Sequence, residues 1–221
     1  PLVAASMTVS EPIARKYSQV FGIQTPIVIP NAAPYSNLRP TPVSSEEIEL
    51  IYHGIPGAAR GIEIVIDAMQ QVPKTFHLTL MLMATARELQ TLKSKAKIGA
   101  NVTLIDPVVT ESISRKVNEY DVGIYALQPL TFNERSALPN KFFENIQARV
   151  AQIVTPTSEM SRLVVDHDLG LVTTGFDADS VAEALRRLDP DRIRHFKDSA
   201  DAAARELSWE SFAPRLNRLV D

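Results

Sequence analysis

Two segments of this chain carry side chains whose types and spacing could handle a phosphate. The first is His53-Gly54-Ile55-Pro56-Gly57-Ala58-Ala59-Arg60-Gly61. Glycines let a backbone approach a ligand closely, and a helix start offers free N–H groups to an anion. Arg60 could add a bidentate charge-assisted contact. An ordinary strand–helix loop with a solvated Arg60 fits the same spacing. The segment is neither a Walker loop nor a GxGxxG fingerprint. The second segment runs from 128 to 144 and ends in Ala137-Leu138-Pro139-Asn140-Lys141-Phe142-Phe143-Glu144. Pro139 suits the first turn of a helix, where its missing N–H costs nothing. Lys141 in that turn has the wrong sign for the helix dipole, which is easier to understand if an anion binds beside it. Glu144 lies three residues on and shares the Lys141 face. A cation for phosphate and a carboxylate for hydroxyl groups would suit a nucleotide and its ribose; a surface Lys–Glu pair at i, i+3 would also fit.

Other residues offer less. His53, His77, His167 and His195 do not fall at metal-ligand spacing. His53 ends a strand beside the first loop and reads as structural. Asp166-His167-Asp168 reads as a solvated turn rather than an acid–base group. There is no G-x-S-x-G, and with no cysteine there is no thiol nucleophile, disulfide or thiolate metal site.

The elements that must position these loops show as apolar, β-branched runs at 2–9, 48–53, 78–83, 102–105, 122–125, 152–155 and 171–173. They are nearly continuous in apolar residues, as parallel strands buried on both faces are. Amphipathic helical stretches lie between them: Ile62, Val65, Ile66, Met69 and Val72 share a face, as do Ile113, Val117 and Tyr120, and Val181, Leu185 and Leu188. Two further helices are predicted near 192–206 and 209–220. The alternation implies an α/β fold, a doubly wound parallel sheet in a Rossmann-like α/β/α sandwich. In such sheets ligands bind beyond the carboxyl ends of the strands, where the two candidate loops fall. The Pro- and Asn-rich stretch 31–42 has no periodicity and reads as a linker between a strand–helix unit, 1–30, and a main body, 43–221.

The chain has 221 residues, 45% hydrophobic and 22% charged, with formal net charge -3. That supports a real core and gives no electrostatic case for a nucleic-acid partner. No apolar run is long enough to cross a bilayer, and the N-terminus lacks the basic region of a signal peptide. Pro1 in place of an initiator Met fits a piece of a longer protein. The lack of cysteine fits a cytoplasmic location.

The same segments, in order, resemble the C-terminal donor-binding domain of family 4 GT-B glycosyltransferases, of the type that builds bacterial surface polysaccharide. Thr8-Val9-Ser10-Glu11 with Val28-Ile29-Pro30-Asn31 resembles the "vS…vipN" passage where the two domains meet. Tyr52-His53-Gly54 with Arg60-Gly61 resembles the "G-R-x5-K-G" phosphate loop, and Tyr120-Asp121-Val122-Gly123-Ile124 the "aDvgi" strand. Leu138 to Glu144 resembles the "lPNKlfE" ribose helix, and 159–170 with 177–188 the closing passage.

The resemblance implies a retaining transferase that moves a sugar from a nucleoside diphosphate of UDP or GDP type to a glycan or lipid-linked acceptor. No cofactor or metal is expected. Arg60 and Lys141 would bind the donor diphosphate and stabilise the leaving group. Glu144 would hold the ribose, Gly54, Gly61, Pro139 and Asn140 would join in binding the donor, and backbone from Ile105 and Asp106 to Val108 would flank the base. Residues 1–30 would be a remnant of the acceptor domain, 31–42 the interdomain linker and 43–221 the donor domain. Acceptor binding would need the rest of the N-terminal domain, and a full-length protein would have room for peripheral association with the inner face of a membrane. Two departures stand out: the usual Arg after the first Gly is Ile55, and the usual Glu eight residues before Glu144 is Ser136, with Glu134 out of register. They favour one alternative, a catalytically silent nucleotide-binding or scaffold domain; an epimerase-type GT-B enzyme is another.

Overall fold

The computed structural model describes residues 5–95 and 101–220. The first elements are β1 (Met7–Thr8), α1 (Glu11–Phe21) and β2 (Ile27–Val28). β1 and β2 pair in parallel as a separate two-stranded sheet. The run 2–9 predicted a longer strand. Residues 1–4 lie outside the described residues, and the ladder covers only two positions on each side. Pro26 and Pro30 bracket β2 and have no N–H to extend it.

The main body alternates strand and helix, with two helices between the fourth and fifth strands of its sheet. It runs β3 (Ile48–Gly54), α2 (Ile62–Met69), β4 (Phe76–Leu82), α3 (Ala86–Lys95), β5 (Val102–Ile105), α4 (Ile113–Val117) and β6 (Val122–Tyr125). It continues with α5 (Phe132–Ser136), α6 (Asn140–Gln147), β7 (Ala151–Val154), α7 (Ser158–Asp166) and β8 (Gly170–Val172). The helices α8 (Ala178–Arg186), α9 (Pro190–Ala203) and α10 (Trp209–Val220) close it. The six strands form one sheet in the order β5-β4-β3-β6-β7-β8, and every pairing is parallel. This is the doubly wound sandwich that the apolar runs implied. β6 and β7 are buried along their whole length, as strands covered by helices on both faces must be.

Two buried polar clusters hold the helices under the site. Lys197 of α9 donates to Asp121 Oδ1 at 3.3 Å, Thr41 Oγ1 at 2.8 Å and the Tyr120 carbonyl at 3.1 Å. Asp121 Oδ2 in turn accepts the Glu49 N–H at 3.0 Å, which ties the start of β6 to β3. Arg149, fully buried after α6, donates to Asp201 Oδ1 at 2.6 Å, to the Gln147 carbonyl at 2.6 Å and to the Ser36 carbonyl at 2.8 Å. A buried guanidinium is tolerated only when its donors are used, and these bonds fix the 31–42 stretch and α9 against α6.

Candidate functional site

The strand order reverses between β3 and β6, and a crevice opens there beyond the carboxyl ends of the strands. A cleft of about 530 Å³ occupies that position. Six of the residues singled out by sequence line it: Gly54, Arg60, Pro139, Asn140, Lys141 and Glu144. Gly61, Ile105 and Asp106 do not. Of the 105–108 segment, Pro107 and Val108 line the cleft. Ile105 packs against an apolar cluster under the sheet, and Asp106 is exposed.

The first loop leaves β3 at Gly54, whose φ is +114°; a Cβ there would stand 3.0 Å from the Lys141 ammonium. A 3-10 turn over Ala58–Arg60 follows, and Gly61 at φ +66° starts α2. A Cβ at Gly61 would lie 2.0 Å from the Ala126 carbonyl oxygen. Gly61 thus lets the turn close on the end of β6, and it does not line the cleft.

The second loop ends at α6. Pro139 is the N-cap, in an extended conformation, and Asn140 is the first helical residue; sequence placed Pro139 one residue further in. α6 buries Phe142, Phe143, Asn145 and Ile146, and that face turns Lys141 and Glu144 towards the cleft. The ammonium of Lys141 sits 4.5 Å from the Tyr52 ring centroid and 4.3 Å from that of Tyr125, and it donates to the Tyr52 hydroxyl at 3.3 Å. Among the described residues no carboxylate forms an ion pair with it. Burial, with the Arg60 charge adding to it, pulls the Lys141 pKa down to about 7 against the smaller opposing pull of Glu144. Arg60 donates to the Tyr125 hydroxyl at 2.7 Å. Burial works against its charge, but the bond to Tyr125 and the surrounding groups leave its pKa above the ordinary value.

Glu144 is raised by burial, with Lys141 opposing. Its Oε2 lies 3.6 Å from Nδ1 of His53, and His53 Nε2 is 2.9 Å from Asn145 Oδ1. Burial holds the imidazole down to about 4, so at neutral pH the ring is neutral and forms no ion pair with the Glu144 carboxylate beside it. The structural reading of His53 holds, at the wall of the cleft.

The family description "Glycosyl transferases group 1" matches residues 48–191, well over half of the chain. The chain belongs to this family. Comparison with curated proteins finds no match. Among solved structures, the group 1 chain is similar to sucrose-phosphate synthase from Thermosynechococcus elongatus, with TM-score 0.75 and 18% identity over 96% of this chain and 56% of that one. It is similar to WaaG, a glycosyltransferase involved in lipopolysaccharide biosynthesis, with TM-score 0.71 and 14% identity over 95% of this chain and 60% of that one. It is also similar to Anabaena HepE solved with UDP-glucose, with TM-score 0.64 and 15% identity over 79% of this chain and 48% of that one. At these identities the likeness shows the fold. The group 1 chain spans about half to three fifths of these proteins' lengths.

Sequence reasoning on this group 1 chain missed Tyr52, Tyr125 and Asn145. The signal for the tyrosines was present: each stands at or near the carboxyl end of a strand flanking the switch point. Glu134 sits in a capping box, where its carboxylate accepts the Thr131 N–H at 3.0 Å and contacts the Thr131 hydroxyl. Ser136 is buried.

Proposed function

We propose that this chain supplies the donor site of a retaining glycosyltransferase that takes a nucleoside diphosphate sugar, of UDP or GDP type, and serves a glycan or lipid-linked acceptor in polysaccharide synthesis. One observation carries the reading. Two cations from separate segments, Arg60 and Lys141, converge at the switch-point cleft, and Lys141 lacks a carboxylate partner where helix dipole and burial both disfavour its charge. Such a cation is stabilised when an anion arrives. A diphosphate between the two would place the ribose near Glu144, one helical turn on, and the base near Pro107 and Val108. As the donor bond breaks, negative charge grows on the diphosphate, and preformed cations there act most strongly on that charged state. In this proposal Arg60 and Lys141 do the neutralising and no metal is needed. Residues 43–221 are the donor domain, 31–42 the linker and 1–30 part of the acceptor side, consistent with the separate β1–β2 sheet. No described helix is long and apolar enough to cross a membrane. Peripheral association is the route proposed to a lipid-linked acceptor.

Calorimetric titration with UDP, GDP and ADP tests the assignment. One of the three should bind with a Kd of about 0.1 to 1 mM, roughly -4 to -6 kcal/mol, and Lys141→Ala should abolish it. Failure of all three to bind the folded chain refutes it. The departures at Ile55 and Ser136 favour a second reading, a domain that binds the nucleotide but does not turn it over. A longer protein that binds donor yet never releases or transfers its sugar would establish that reading.

A further inference from the structure

Arg60 and Lys141 reach the cleft from unrelated segments, the 3-10 turn after β3 and the first turn of α6. What they share is Tyr125, the last residue of β6. Its hydroxyl accepts from the Arg60 guanidinium at 2.7 Å, while its ring face lies 4.3 Å from the Lys141 ammonium. Tyr52 closes the set. Its hydroxyl donates to the Arg60 carbonyl at 3.1 Å and accepts from Lys141 at 3.3 Å. The two rings stand 6.0 Å apart, tilted by 56°. Both phenols are buried, and burial raises their pKa values, so each remains a neutral hydroxyl beside the cations. A tyrosine that served packing alone would present its ring to apolar neighbours and its hydroxyl to backbone or water. Tyr125 meets one cation with each end.

We propose that Tyr125 is a positioning residue of the donor site: its hydroxyl fixes the Arg60 guanidinium and its ring fixes the Lys141 ammonium, so the spacing of the two charges is set before a diphosphate arrives. The inference rests on the donor-site assignment above. Charges held in place lose less freedom on binding, and affinity rises accordingly. The contact is also chemically selective. A ring face attracts an ammonium without neutralising it, whereas a carboxylate in the same place would compete with phosphate.

The test uses whichever of UDP, GDP or ADP binds the wild-type chain most tightly. That nucleotide is titrated into Tyr125→Phe, Tyr125→Leu, Arg60→Ala and the Arg60→Ala/Tyr125→Phe double variant, each confirmed folded by near-UV circular dichroism. Tyr125→Phe keeps the ring and loses only the bond to Arg60; it should weaken binding about fivefold. Tyr125→Leu also loses the ring face and should weaken it about fivefold further, so that Phe partly rescues Leu. In the Arg60→Ala background the Phe substitution should cost less than about twofold, because the group it positions is gone. Wild-type affinity in Tyr125→Phe, or the same loss with and without Arg60, overturns the proposal. If Tyr125→Leu does not fold, the Tyr125→Phe cycle decides alone. Absence of binding by the wild type would instead remove the donor-site assignment, and the positioning role with it.

Discussion

Alkaline pH should release a diphosphate from this cleft through one residue, Lys141. Its free-state pKa of about 7 lies far below the ordinary 10.5 because burial beside Tyr52 and Tyr125 and the charge of Arg60 outweigh the help of Glu144. Of its other titratable neighbours, His53 is neutral at this pH, and the Glu144 carboxyl is raised by burial. At about 1.4 kcal/mol per pKa unit, ionising Lys141 in the empty site costs roughly 4 to 5 kcal/mol relative to water. A bound diphosphate recovers much of that, so the complex holds its proton to higher pH than the free protein. Binding therefore takes up a proton. Affinity is full below pH 7 and falls as pH rises above it, by about tenfold between pH 6 and pH 8. The nucleotide's own terminal phosphate titrates near pH 6, so the control is Lys141→Arg, which stays charged throughout. Calorimetry in buffers of different ionisation enthalpy would measure both affinity and proton uptake. The expected uptake is about half a proton at pH 7 and close to one at pH 8 for the wild type, and at least half a proton less for Lys141→Arg. Wild-type affinity and uptake that follow the Arg variant across this range would refute the reasoning.

Other outcomes follow from the same contacts. Gly54→Ala, at φ +114° with the new methyl 3.0 Å from the Lys141 ammonium, should fold with a loss of about 1 to 3 kcal/mol in urea denaturation and bind nucleotide at least about tenfold more weakly. His53, held down to about 4, is buried neutral, so the unfolded chain takes its proton first as pH falls below about 6.5; this removes about 2 kcal/mol of stability by pH 4.5. Glu144, whose pKa is raised, works in the opposite direction, and His53→Gln should therefore flatten or invert the acid slope of the urea midpoint. Lys197→Ala strands Asp121 as a buried charge and should cost about 3 to 5 kcal/mol, with Lys197→Ala/Asp121→Asn recovering part of it in the same denaturation assay.

Much of the fold was legible because each central strand is covered on both faces and so reads as an apolar run. β6 and β7 are buried at every position, and the predicted runs fall within two residues of the observed strands in the main sheet. The strand order was not legible, since nothing local tells β3 that its neighbours are β4 and β6. α5 was overlooked although its capping box, Thr131 with Glu134, is a local signature. The site was half legible. Lys141 stood out because it is the wrong charge for the first turn of α6. What compensates it, two ring faces, was not visible: Lys141 and Tyr52 are 89 residues apart in sequence, and Arg60 and Tyr125 are 65. They meet only because β3 and β6 pair across the switch point. Gly61 was grouped with the ligand-binding residues on motif order alone; its requirement is steric, against Ala126.

The most direct measurement is a crystal structure of the chain with the nucleoside diphosphate that binds it. The diphosphate is expected between the Arg60 guanidinium and the Lys141 ammonium, with Glu144 within hydrogen-bond reach of the ribose. A nucleotide bound elsewhere, or bound in this cleft with Lys141 out of contact with phosphate, would contradict it.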